Sequence, residues 1–108
     1  MAPDYLYYAT VGRWIDGDTV VLTVELGFFV MTRVHCRLTG INTPEVKKPG
    51  AAEATAYSEN FAPAGSQVVI HSTKADKYGR FLVDIYHVDG DNLNQRLLAT
   101  GLAEVYKG

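Results

Sequence analysis

The chain has 108 residues, 47% of them hydrophobic and 20% charged, which fits one domain spanning residues 1–108 and excludes a disordered or collagen-like chain. Ten Lys and Arg stand against twelve Asp and Glu, and a net charge of −2 excludes a protein that grips nucleic acid by bulk positive charge, though not a local site of two or three cations. A single cysteine excludes an internal disulfide framework and a Cys-rich zinc site, so packing must hold the fold together.

The first half reads as β structure. Residues 5–15 and 19–26 are rich in aromatic and β-branched side chains, and Asp16-Gly17 between them suits a tight turn. Gly27 predicts a second turn, followed by a strand over residues 28–38. In that strand Val30, Thr32, Val34, Cys36 and Leu38 alternate with Met31, Arg33, His35 and Arg37, so the apolar set faces a core and Arg37 the wetter side. Cys36, alternating with core residues, reads as a buried thiol and not a nucleophile.

Residues 40–50 are loop-like, with Pro44 and Pro49, and residues 51–62 have helical composition with Ala54, Tyr57 and Phe61 on one face. Pro63 and Gly65 end that helix. Short strands follow at residues 68–71 and 81–88, joined by a charged connection over residues 72–80. The last element is a short helix with Asn92 as N-cap, Leu93 and Leu97 inward and Gly101 just past its end. Three strands, a helix, two strands and a helix form the order of an α+β protein built on a five-stranded Greek-key barrel, the OB-fold, with two short helices. Nothing in residues 1–8 has the form of a secretory signal, and the longest purely apolar run is residues 28–31. A soluble cytoplasmic protein with no membrane contact, monomeric or self-associating, is therefore expected.

Three polar segments exceed what folding needs. In Asp16-Gly17-Asp18-Thr19 the turn requires only the first two residues, leaving Asp18 over. Arg37 leaves a strand toward the loop Asn42-Thr43-Pro44-Glu45, and Asp76-Lys77-Tyr78-Gly79-Arg80 is a charged loop. Each segment alone also reads as an ordinary turn or loop.

Taken in order, the three resemble the motifs of the staphylococcal nuclease (thermonuclease) family: Asp-Gly-Asp-Thr, a spaced Arg, Asp-Thr-Pro-Glu, and Asp-Lys-Tyr-Gly-Arg. The closing segment from Asn94 to Ala103 is also similar, so the likeness runs from about Tyr8 to Val105. The resemblance implies an OB-fold, Ca²⁺-dependent phosphodiesterase acting on DNA, RNA or both with little sequence preference. It implies Asp18, Asn42 and the Thr43 carbonyl as metal ligands, Glu45 as general base, Arg37 and Arg80 as phosphate-binding catalytic residues, and Lys77 and Tyr78 as substrate contacts. Tyr106 is a further candidate for stacking on a base.

The chemistry suits these residue types. A hard cation takes several oxygen ligands, and planar guanidinium groups meet phosphate oxygens two at a time. Four departures from the family stand out. Asn42 replaces an acidic ligand, which lowers the charge of the site and allows a different ion; the loop after Glu45 is short; the family's long C-terminal helix is absent; and Asp84 occupies a position where a small residue is usual. The Asn42 substitution keeps open an alternative, a catalytically impaired nucleic-acid-binding or protein-interaction module.

Overall fold

The computed structural model describes residues 6–75 and 80–106. Seven strands and two helices follow in the order β1 (Leu6–Asp16), β2 (Thr19–Gly27), β3 (Val30–Leu38), β4 (Ile41–Asn42), α1 (Ala51–Phe61), β5 (Gln67–Ala75), β6 (Phe81–Tyr86), α2 (Leu93–Ala99) and β7 (Glu104–Val105). Five of the strands close a barrel in the order β1-β2-β3-β6-β5, consistent with the expected α+β OB-fold. All its pairings are antiparallel except β3 with β6, where Cys36, Arg37 and Leu38 face Phe81, Leu82 and Val83. Leu6 to Thr10 of β1 pair with His71 to Gln67 of β5 and so complete the closure.

The interior is filled by the inward residues of each strand, among them Val11, Val20, Leu22, Leu38, Ile70, Val83 and Ile85, with Leu93 and Leu97 of α2 packed on them. An apolar cavity of about 150 Å³ remains at one mouth of the barrel, between Tyr7, Val24, Leu26, Val34, Cys36 and Phe81. It lies inside the sheet, whereas Arg37 points outward from β3.

Both helices fix the end of the barrel where the polar motifs gather. From α1, Ser58 Oγ donates to the Gly17 carbonyl at 2.8 Å, and the Trp14 indole donates to the Ala62 carbonyl at 2.9 Å. Gly17 is needed there because a Cβ at that position would lie 2.8 Å from the Ala54 Cβ. From α2, the buried Asn94 amide donates to the Thr39 and Val83 carbonyls while its oxygen accepts from Ile85 N–H. The α2 N-cap is the expected one: Asn92 Oδ1 accepts from Gln95 N–H at 2.8 Å.

Several boundaries differ from the sequence reading. β3 begins at Val30, because Phe28 and Phe29 form the β2–β3 turn with φ of 54° and 62°. Gly27 pairs with Val30 around them, a two-residue loop with both φ positive that normally takes Asn-Gly. Both phenylalanines are fully exposed, at 98% and 104%. β5 runs to Ala75, four residues past the expected end at His71, and Ile41-Asn42 in the expected loop forms a two-stranded sheet with Glu104-Val105. Asp84, unexplained in the sequence, faces His71 across β5–β6 and lies 3.7 Å from its ring nitrogen. Burial raises the Asp84 carboxyl, and the hydrogen bond and charge of His71 act in the opposite direction.

Candidate active site: a buried arginine network at the end of β2 and β3

Asp18 sits directly after the β1–β2 turn, held in place by the contact of that turn with α1. Its carboxylate is buried and accepts three hydrogen bonds: from Thr19 Oγ1 at 3.0 Å, from Thr43 N–H at 3.1 Å and from Arg37 Nη2 at 3.3 Å. Arg37 also donates to Asn42 Oδ1 at 2.8 Å and to the Ile41 carbonyl at 3.2 Å. Short β4 therefore has a clear task. Its pairing with β7 sets Ile41 and Asn42 beside the guanidinium and brings Tyr106 over it, 4.7 Å from the ring centroid.

This corrects one expectation. Arg37 does point outward from β3, but that side is not wet there: Arg37 is 9% exposed and tied into the site. Alternation gives the side of a strand correctly but says nothing about what covers it, and here β4, the following loop and Tyr106 do. Tyr106 rests one ring face on Arg37 and remains 46% exposed. Three of the five guanidinium N–H groups are used by the bonds above, which leaves two donors without an acceptor among the described residues.

Arg80 is half-buried and engaged in a contact of its own. It directly precedes β6, whose first residue Phe81 pairs with Cys36, the neighbour of Arg37 in β3. Glu45 is exposed on the loop three residues past Asn42, and its backbone carbonyl accepts from Lys48 N–H. Lys77 and Tyr78 lie outside the described residues.

The donor set around Asp18 fits a hard divalent cation. It offers a carboxylate, the Asn42 amide oxygen and the oxygens of Thr43, all hard ligands. The Thr43 hydroxyl is buried without a hydrogen-bond partner, as is that of Thr39. Such an orphan buried group beside the turn that holds Asp18 is one a bound ion or water would satisfy. Asp16 alongside is pushed up to about 6, first by burial and then by the hydrogen bond and charge of Asp18. A second set of donors, His87, Asp89 and Asp91, also lies close enough together to hold a metal ion, within 4.8 Å of one another. Sequence spacing gives His87 no metal-ligand reading, and in the structure its Nε2 lies 2.6 Å from the Phe61 carbonyl while Asp91 pairs with Arg96 at 2.8 Å, so both groups already have partners.

A closed five-stranded barrel of the OB type carries the Arg37–Asp18–Asn42 network where β2 starts and β3 ends, with Arg37 and Asp18 buried and Asn42 exposed. The chain belongs to the staphylococcal nuclease family: the family model described as Staphylococcal nuclease homologue matches residues 35–108. It is 32% identical over 100 residues to an uncharacterized endonuclease of Escherichia coli, covering 93% of this chain and 61% of that protein. It is 31% identical over 109 residues to endonuclease YncB of Bacillus subtilis, covering 93% and 48%. A third relative, the SPbeta prophage-derived endonuclease YokF of Bacillus subtilis, is 32% identical over 105 residues, covering 89% and 33%. The chain thus spans between a third and about three-fifths of the length of these relatives.

Proposed function

We propose that the protein is a divalent-metal-dependent nuclease that hydrolyses phosphodiester bonds in DNA, RNA or both with little base preference. The observation that carries this reading is the convergence of Asp18, Arg37, Asn42 and Thr43 in one network, with Arg80 at the start of the strand that pairs with the end of β3. Its relatives named as endonucleases support it.

Asp18, Asn42 and Thr43 would hold the cation, for which we propose Ca²⁺. When bound, the ion supplies a positive centre that polarises the phosphate and favours ionisation of water. The two unused N–H donors of Arg37, with the guanidinium of Arg80, bind non-bridging phosphate oxygens and meet the charge that builds on them in the transition state. Tyr106, Asn42 and Asp18 hold Arg37 in place for that contact. Glu45 orients the attacking water and accepts its proton as the water oxygen bonds to phosphorus. The bond from phosphorus to one sugar oxygen breaks, and that oxygen takes a proton from solvent. No group of the proposed machinery reads a base edge, hence the weak sequence preference.

The test is degradation of single-stranded DNA with Ca²⁺, Mg²⁺ or Mn²⁺ and with chelator. Cutting with a divalent ion and none in chelator is expected. Folded protein that binds the DNA but never cuts it would favour the impaired binding module, because Asn42 brings no charge to the site and its oxygen already accepts one hydrogen bond from Arg37.

A further inference from the structure

Five arginines occur in the chain, at positions 13, 33, 37, 80 and 96, and the pairing of β1, β2 and β3 sets Arg13, Arg33 and Arg37 on one outward face of the barrel. On β3 the outward residues beyond Arg37 are His35 and Arg33, both exposed. Across the sheet, Val21 pairs with His35 on one side and with Arg13 of β1 on the other, and Thr23 pairs with Arg33. Val21, on this outward face and not among the inward core residues, is nevertheless only 2% exposed. Arg33 reaches across β2: its Nη2 is 3.6 Å from where a Cβ on Gly12 of β1 would sit. Arg13 and Arg33 thus share one sheet face, and among the described residues neither has a hydrogen bond or an ion pair with a carboxylate. Glu25 is the acidic residue of β2 on this face, paired with Met31 at its far end.

We infer that this face is a docking track for a single-stranded nucleic acid, in which Arg13 and Arg33 bind backbone phosphates beyond the one held at Arg37. Two like charges kept together without a carboxylate partner, in a chain of net charge −2, call for a polyanion. The track is continuous with the candidate site, since Arg33 stands four residues along the same strand face from Arg37, about 13 Å away. A short anion would fill one position; a strand with a repeating phosphate fills both. The nuclease reading names the occupant, and the geometry of the face stands without it.

The experiment measures binding of fluorescein-labelled (dT)16 by anisotropy in chelator, where nothing is cut, across a series of salt concentrations. Each phosphate contact on a single strand contributes about 0.7 to the slope of log affinity against log salt. The Arg13→Gln and Arg33→Gln variants are each expected to lower that slope by about 0.7, and the double variant by about 1.4, with affinity down on the order of tenfold at low salt. Arg33→Lys, which keeps the charge, retains the slope. Wild-type slopes in both single variants would overturn the inference, as would wild-type protein that does not bind. Poly-glutamate competing as well as unlabelled (dT)16 would also overturn it, making the face a general polyanion surface. Failure of cutting with binding intact would count against the nuclease reading and leave the track standing.

Discussion

Removing Arg37 should harm the fold as much as the chemistry, which makes Arg37→Ala a poor probe of catalysis and a good probe of the network. The Asp18–Arg37 pair is buried, with side chains 6% and 11% exposed. Deleting the cation leaves the largely buried Asp18 carboxylate without its ion-pair partner, a loss of about 3–5 kcal/mol for buried pairs. The Ile41 carbonyl and Asn42 oxygen lose their donor too, within the same cost. A domain of this size has a total stability of roughly 5–15 kcal/mol. The variant should therefore unfold at a clearly lower denaturant midpoint with an unchanged slope, and melt more than about 10 °C below wild type. The double variant Arg37→Ala with Asp18→Asn removes the stranded charge and should recover a good part of the loss. Urea titration of the three proteins by circular dichroism is the assay. A cost below about 1 kcal/mol for Arg37→Ala, with no recovery in the double variant, would refute a buried, mutually dependent pair.

Replacing Phe28-Phe29 by Asn-Gly should stabilise the protein by about 1–2 kcal/mol, since left-handed backbone costs that much for residues of this kind; a lower melting temperature would show that the aromatics make contacts elsewhere. Burial pushes the Cys36 thiol from its ordinary 9.0 up to about 12. Folded protein should therefore resist thiol reagents at pH 8, reacting only on unfolding, and rapid labelling would contradict its burial. Because the folded value is the higher one, the stability Cys36 contributes is whole below pH 9 and is lost as pH rises toward 12; Cys36→Ala should flatten that alkaline limb of a denaturation series. Asn42→Asp adds a charge to the proposed ligand set and should tighten Ca²⁺ binding by calorimetry, whereas unchanged affinity would remove Asn42 from it.

Much of the barrel is readable in the chain because alternation and turn chemistry are local. The strands of β1 and β2, the helix of residues 51–61 and the Asn92-capped helix lie close to where their patterns put them. The β2–β3 turn is misjudged by two residues because Phe28-Phe29 violates the local preference for Asn-Gly, so propensity places it in a strand. β4 and β7 are two residues each and exist only through pairing between positions 41 and 105, a long-range contact that leaves no periodic trace. The same limit applies to the site. Resemblance to the family's motifs groups Asp18, Arg37, Asn42 and Thr43, and the structure brings them together. Yet the cover over Arg37, the ring of Tyr106 and the orphan Thr43 hydroxyl follow from tertiary packing and have no signature in sequence.

The central claim is that guanidinium groups act on a scissile phosphate, and Arg80 tests it most directly because Asp18 does not depend on it. Rates of single-stranded DNA cleavage by wild type and Arg80→Ala should be compared at saturating divalent ion, with both proteins shown to be folded. The account predicts a loss on the order of a hundred- to thousand-fold in the variant. Equal rates in the two proteins would contradict it.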